Sequence, residues 1–427
     1  MPRIALVFPG QGSHFAGMGK TLYEQYPVVR NTFEEAEDVL GIPLRQLCFH
    51  GKISELSNPE YVQAAIITVS IAACCVYTQE IGIQPVVVAG HSFGEYAALV
   101  YAGAVSFSDA LRLVHQRGLF AAEMIQKNIG SMTIVDEVPV TAVQQVCVEL
   151  AEQGEHIYVT CFNSMMQCTI AGSPEALRQA ERLIRSKGGR TTPLIKSAPF
   201  HCQLAKGAAD DFLPVLQECV FESLQLPVLS NKNALPYDSS TQLAEQLYSH
   251  MIHPVQWLSI LEWMEAHMVT TIIDMGPQNI LRNLAVQTLP NVTTYAFAQA
   301  NDREKLLREL RTHKEDQANP INPYSEFFAN CLSAAVSTPN ANPDTLRYRN
   351  EVLPAYQELQ GFYENVSSHD IEGNMTDVMQ AMQNLSQILL NKQIAQEELD
   401  RILEELLSKT SISIPSGATT FFKNRGR

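Results

Sequence analysis

Ser92 lies in Gly90-His91-Ser92-Phe93-Gly94, the spacing G-x-S-x-G. Side chains at the two outer positions would crowd a turn sharp enough to push a serine hydroxyl out over the end of a sheet, so both are glycine. The apolar run before the turn, Val86 to Ala89, is long enough for a buried strand, and Glu95–Tyr101 after it reads as a helix start. Free N–H groups at that helix start would face a developing oxyanion. Strand, elbow and helix in this order mark Ser92 as a nucleophile rather than part of a plain Gly/Ser turn. A base is then needed. In Ser197-Ala-Pro-Phe-His201-Cys, a proline fixes the backbone approaching His201. A lone histidine is usually structural, but one that follows the nucleophile in a rigid loop is the natural proton acceptor. Arg117 shares a helical stretch with Leu113, Val114, Phe120 and Ala121, and on spacing alone it reads as a solvated surface cation rather than a ligand clamp.

These residues need a scaffold. Arg3–Phe8 reads as a buried first strand, followed by a glycine-rich loop, Pro9 to His14 and then Gly17-Met-Gly19, where backbone approaches something closely. The P-loop pattern G-x-x-x-x-G-K-[ST] is absent. Lys20–Leu40 and Val62–Ile81 read as helices, the second buried, and Ser106-Phe-Ser-Asp109 caps a helix over Ala110–Lys127. From Ile129 to Leu194 short strands (Ser131–Val135, Tyr158–Phe162, Cys168–Ala171, Thr192–Leu194) alternate with helices Thr141–Glu152 and Pro174–Ser186. Strand-helix-strand-strand-helix-strand is the ferredoxin-like order, here inserted in a larger domain. Further on, Lys206–Cys219 reads as a helix, Val228–Asn231 as a strand, His253-Pro-Val-Gln-Trp257 as another helix start and Thr271–Met275 as the last strand. Beyond about Asn301 the chain turns polar: His313–Asn322 and Ser337–Asp344 read as linkers, Asp377–Leu407 as an amphipathic helical pattern and Ser408–Arg427 as a disordered tail.

Composition narrows the class. The 427 residues suffice for two or three domains and a sizeable core. Acidic residues outnumber Lys+Arg 45 to 30, a net charge of −15, which argues against nucleic acid or an anionic membrane as the main partner. No apolar run is read as reaching membrane-spanning length, and Met1-Pro-Arg is not a signal-peptide start. Nine scattered cysteines, including the neighbours Cys74-Cys75 and the lone Cys202, make no metal pattern and read as reduced thiols in a cytoplasm.

Phe8-Pro-Gly-Gln-Gly-Ser13, Gly90-His-Ser-Phe-Gly-Glu-Tyr96, Gln116-Arg-Gly118, Ala198-Pro-Phe-His201 and Asp274-Met-Gly-Pro277 occur in this order. Together they resemble the malonyl-CoA:acyl carrier protein acyltransferases over roughly residues 1–300. The resemblance implies an α/β fold: an α/β-hydrolase-like large domain in two parts (1–128 and 197–300), an inserted ferredoxin-like subdomain (129–196), and a linker with a helical C-terminal extension (301–427). It implies that Ser92 is acylated and that His201 is general base and acid. It implies an oxyanion hole made by the backbone N–H groups of Gln11 and Phe93, with His91 lining the site. Arg117 would hold a malonyl carboxylate through parallel hydrogen bonds, which reverses its reading as a surface residue. The histidine would be oriented by a main-chain carbonyl near His253 rather than by an acid. Phe200 leaves little room for an α-methyl branch, since methylmalonyl-selective members usually carry serine there. That implies a preference for malonyl worth roughly 1–3 kcal/mol. Two positions depart from the family's pattern: His14 stands where many members have Gln, and His253 where many have Asn.

The resemblance implies a ping-pong transfer from malonyl-CoA to the phosphopantetheine thiol of an acyl carrier protein, with coenzyme A a substrate and no cofactor or metal required. The segment Arg347-Tyr-Arg-Asn-Glu-Val-Leu-Pro-Ala-Tyr356 is similar to tails of stand-alone acyltransferases serving polyketide assembly lines, which favours that setting over fatty-acid synthesis. Carrier proteins are acidic, and Arg178, Arg182 and Arg185, with Lys187 and Arg190 nearby, offer a basic face as a candidate docking surface on a monomer; a solvated face is the plainer reading. Rival readings are an acyl hydrolase with the same Ser-His pair, disfavoured by Arg117, a transacylase for another ω-carboxylate such as succinyl, and a non-catalytic interaction protein.

Overall fold

The computed structural model describes residues 2–317, 323–338, 340, 342, 348–367 and 374–408. The tail expected to be disordered lies, from residue 409 on, outside the described residues, as do parts of both expected linkers and Arg347. The chain forms two compact units, 1–310 and 311–427.

In the first unit, β1 (Ile4–Phe8), β2 (Val87–Gly90), a short strand at Val228–Leu229 and strands at Thr271–Asp274 and Thr293–Ala296 form a five-stranded parallel sheet with β1 at its centre. Every side chain of β1 is buried, as an unbroken apolar run requires of a strand covered on both faces. Phe8 registers with Gly90, so the loop leaving β1 runs beside the serine turn at the same edge of the sheet. The strand at Thr271–Asp274 is not the last one, contrary to the sequence reading. Thr293–Ala296 pairs with it, and its Thr-Thr start carries no apolar signal of its own.

Helix Pro59–Glu80 corrects another expectation. It is long and apolar enough by composition to cross a membrane. Nearly all its side chains from Val62 to Tyr77 are buried in the same core as Val29 and Phe33 of helix Pro27–Leu40 and Leu113 and Val114 of helix Phe107–Gln126. It is therefore the central core helix of this unit. The helix expected over Lys20–Leu40 is two, Lys20–Gln25 and Pro27–Leu40: Tyr26 is extended, as a residue before proline prefers, and Pro27 opens the second.

A second, antiparallel sheet contains β3 (Ser131–Asp136), β4 (Ile157–Ser164), β5 (Gln167–Gly172) and β6 (Arg190–Pro193), in the order β4-β5-β3-β6. Helices Val140–Glu152 and Pro174–Ser186 cover one face, burying Val143, Leu150, Leu177 and Ile184 against Val135 and Ile170. Val255 stitches this sheet to the rest: its N–H donates to the Thr160 carbonyl and its carbonyl accepts from the Phe162 N–H.

The second unit is helical, with Pro323–Ser337, Leu353–Ser367, Met375–Asn391 and Gln396–Ser408 packed around Phe327, Phe328, Leu359, Leu385, Leu389 and Leu403. The amphipathic pattern read over Asp377–Leu407 is interrupted at Lys392, whose buried ammonium donates to the Ala335 and Thr338 carbonyls at 2.6 and 2.7 Å. Those donors close the C-terminal end of helix Pro323–Ser337. All nine cysteines are free thiols.

Candidate active site

Ser92 occupies the turn between β2 and helix Gly94–Tyr101 with φ 54°, a left-handed conformation that is costly for a residue with a Cβ. The glycines make the turn possible. A Cβ on Gly90 would come within 2.0 Å of the Gly94 backbone, and one on Gly94 within 2.2 Å of the Phe8 carbonyl oxygen. Asn231, just beyond the Val228–Leu229 strand, locks the turn from outside. Its Oδ1 accepts the Ser92 N–H at 2.8 Å and its amide nitrogen donates to the Gly90 carbonyl.

Ser92 Oγ stands 2.8 Å from His201 Nε2. His201 is also in the left-handed region, φ 61°, and its N–H donates to the Met251 carbonyl at 2.7 Å. Its Nδ1 lies 2.8 Å from the His250 carbonyl oxygen. A nitrogen facing a carbonyl must carry the proton, so Nε2 presents its lone pair to the serine hydroxyl. The orienting carbonyl thus belongs to His250. It lies three residues before His253, whose own ring has its Nδ1 2.8 Å from the Ser249 carbonyl of the same helix. Burial, then the facing His250 and Arg117 side chains, holds the His201 imidazole well below its ordinary pKa, so it stays a neutral base.

Arg117 is not a surface residue: it is 1% exposed. Its guanidinium carbon lies 3.9 Å from the centre of the Phe200 ring and 5.8 Å from that of Phe93. The cation is thus held between the neighbours of the base and of the nucleophile. Nη1 donates to Gln63 Oε1 at 2.8 Å, while Nε and Nη2 are buried without a hydrogen-bond partner among the described residues. Burial lowers its pKa to about 10, which leaves it charged at neutral pH. An uncompensated buried cation with two spare donors is a built receptor for a carboxylate.

The other expected residues surround this group. A Cβ on Gly10 would come within 2.8 Å of the His91 carbonyl oxygen and 3.1 Å of Ser92 Cβ, which brings the loop carrying Gln11 against the serine. The Gln11 side chain reaches the Ile195 and Lys196 carbonyls at 3.5 and 3.4 Å. Among the described residues the Gln11 and Phe93 amides donate no backbone hydrogen bond. His91 Nε2 lies 2.9 Å from Asn163 Oδ1 on β4, and burial pushes its pKa down to about 4. His14 pairs with Ser57 Oγ at 2.9 Å, at the periphery. Arg178, Arg182 and Arg185 lie apart from this cluster, exposed on helix Pro174–Ser186.

Sequence reasoning missed Gln63, Asn163, Asn231, Glu95 and His250. Gln63 left a signal as a polar side chain in the apolar middle of its helix, and Glu95 stood in a quoted motif without being given a role.

The acyl transferase domain family matches residues 5–320. The chain belongs to the acyl transferase family. This acyltransferase is 33% identical over 404 residues to a Bacillus subtilis malonyl CoA-acyl carrier protein transacylase, covering 95% of this chain and all of that one. It is 36% identical over 298 residues to the transacylase of that name from Escherichia coli K12, covering 70% of this chain and 96% of the relative. Among solved structures it is similar to a malonyl-transacylase in complex with its type II polyketide acyl-carrier protein (TM-score 0.69, 34% identity, 72% of this chain and 99% of that one). FabD from Acinetobacter baumannii gives a TM-score of 0.69 at 32% identity, with 73% and 99% covered.

Proposed function

We propose that this acyltransferase moves a malonyl group from malonyl-CoA to the phosphopantetheine thiol of an acyl carrier protein through a malonyl-Ser92 intermediate. The observation that carries the acyl specificity is Arg117, a buried cation with two uncommitted donors beside the Ser92–His201 pair. A hydrolase acting on plain acyl groups has no use for it.

The geometry suggests the steps. Ser92 Oγ passes its proton to His201 Nε2 and bonds the thioester carbonyl carbon. The oxyanion rests on the Gln11 and Phe93 amides, donors of a kind worth about a hundredfold in rate each. As the tetrahedral centre collapses the C–S bond breaks, and the coenzyme A sulfur leaves with the proton from His201. In the second half the carrier thiol gives its proton to His201, attacks the malonyl-serine ester, and the Ser92 oxygen recovers the proton. No step calls on a metal or cofactor. His91 would line the site, and Phe200 would exclude an α-methyl branch.

We read the parallel sheet as α/β-hydrolase-like and the antiparallel one as ferredoxin-like; the latter is supported by its βαββαβ order and by β5 and β6 flanking β3. The divisions at 128/129 and 196/197 follow from that reading; the one proposed at 300/301 falls inside helix Ala300–Gln317. Arg178, Arg182 and Arg185 are our candidates for carrier docking, although Arg178 and Arg185 share their charge with Glu175 and Glu181 at 2.5 and 3.0 Å.

The test is acyl-enzyme trapping by intact mass with malonyl-, methylmalonyl- and acetyl-CoA. A malonyl adduct that is absent in Ser92→Ala supports the proposal. An acetyl adduct that forms preferentially and is lost to water supports the hydrolase.

A further inference from the structure

Behind the Ser92–His201 pair lies a second buried acid–base pair that the steps above leave unused. Glu95, in the first turn of the elbow helix, is 0% exposed, and His250 is 2% exposed. Glu95 Oε2 and His250 Nδ1 are 3.0 Å apart, a charge contact that lacks hydrogen-bond alignment. The other carboxylate oxygen of Glu95 accepts the Asn231 N–H at 3.0 Å and the Tyr237 hydroxyl at 2.7 Å. Asn231 is the residue that locks the serine turn, so the carboxylate is hydrogen-bonded to that lock on one side and in charge contact with His250 on the other. The His250 ring lies 4.8 Å from the His201 ring, tilted by 35°, while its own carbonyl orients His201.

A carboxylate removed from water needs a compensating charge. His250 is the only cation-forming side chain paired with Glu95 among the described residues. We propose that Glu95 and His250 form a buried ion pair that acts as a positioning and charge-setting device, with its positive end toward His201, keeping that base unprotonated and aimed at Ser92. The inference rests on the reading of Ser92 and His201 as nucleophile and base. It does not depend on which acyl group is carried.

The charges around His201 are consistent with this. The titratable groups that face it are His250, Arg117 and His91. One element, the end of helix Leu243–Ile252, thereby supplies both the carbonyl that fixes the tautomer of His201 and a charge that adds to burial in keeping it neutral. The arrangement differs from a Ser-His-Asp triad. There a carboxylate touches the base and favours its protonated form. Here a cation stands between carboxylate and base.

The test is the rate of Ser92 modification by a fluorophosphonate against pH. This probe needs the serine and an unprotonated base but no malonyl group, so it stays informative even if the malonyl reading fails. In the unaltered chain the rate is expected to stay flat well below neutral pH. His250→Gln keeps the backbone carbonyl and removes the charge; its acid limb should move up by about one to two pH units, with the high-pH rate largely retained. Glu95→Gln should move it the same way by less, because His250 then loses its counter-charge. A uniform loss at every pH in His250→Gln, with the acid limb in place, would overturn the proposal. Should the variants fail to fold, ring ¹⁵N shifts of the unaltered chain decide: His250 as imidazolium beside neutral His201 at neutral pH supports the pair, and a neutral His250 overturns it.

Discussion

Arg117 carries the acyl selectivity, and its surroundings say how much. Two of its donors have no partner among the described residues, so a bound ω-carboxylate gains two charge-assisted hydrogen bonds where an acetyl group gains none. At about 1.5–3 kcal/mol for each such bond, Arg117→Ala should cost malonyl-CoA a hundredfold or more in the acylation rate constant. Acetyl-CoA should be unaffected or improved. Rapid-quench mass spectrometry with both thioesters measures the ratio, and an unchanged ratio would take selectivity away from Arg117. Phe200 is a subtler case. Its ring does more than fill space near His201, because it lies face-on to the Arg117 guanidinium. Phe200→Ser should therefore raise methylmalonyl relative to malonyl by roughly 1–3 kcal/mol, about ten- to two-hundredfold. It should also lower the malonyl rate itself, since the arginine loses a wall. A rise in methylmalonyl use with no loss for malonyl would show that the two roles separate.

The elbow is where local sequence and distant structure meet. Gly90 and Gly94 have no room for a methyl group: the atoms it would meet, at 2.0 and 2.2 Å, are backbone and cannot rotate aside. Gly94→Ala should destabilise the first unit by about 1–3 kcal/mol or more and move Ser92 off line with His201. A lowered melting temperature together with lost fluorophosphonate labelling would register both effects; normal values of both would refute the argument. The same element shows why the sequence was legible here. The turn's demand for glycine, the serine between them and the helix that follows are all contained in a few adjacent residues. The Ser106 cap is local too: it accepts the Asp109 N–H, as its spacing predicts. What escaped was tertiary. Asn231 meets Ser92 from 139 residues away and Glu95 meets Tyr237 from 142, so no window along the chain contains either pair. Spacing alone put Arg117 on the surface for the same reason, and only the family resemblance moved it to the substrate: the groups that hold it, Gln63 and Phe200, lie on other segments. The strand at Thr293–Ala296 is likewise defined by its partner more than by its own residues.

At the scale of the whole chain the question is what the second unit contributes to the chemistry. Every group placed at the site, from Gln11 to His250, belongs to the first unit. The Escherichia coli relative matches over 298 residues and 96% of its own length, and the solved malonyl-transacylase is covered to 99% by 72% of this chain. The Bacillus subtilis relative instead matches over 404 residues, 95% of this chain, so that match extends through sequence of the second unit as well. The core of that unit is self-contained, built from its own phenylalanines and leucines. Helix Ala300–Gln317 sets the place for a cut, because Leu306 and Leu310 are buried in the core of the first unit. A chain ending at Gln317 should fold and form malonyl-Ser92 at the rate of the full chain, whereas one ending before Ala300 should lose stability with those two leucines. Acyl-enzyme formation and transfer to a carrier protein are separate half-reactions, so the shorter chain can be assayed for each. Retained acylation with weakened transfer would assign the second unit to partner recognition. Loss of acylation in a chain that still melts cooperatively would mean that the site is completed from beyond residue 317, against the geometry of every residue that touches Ser92, His201 and Arg117.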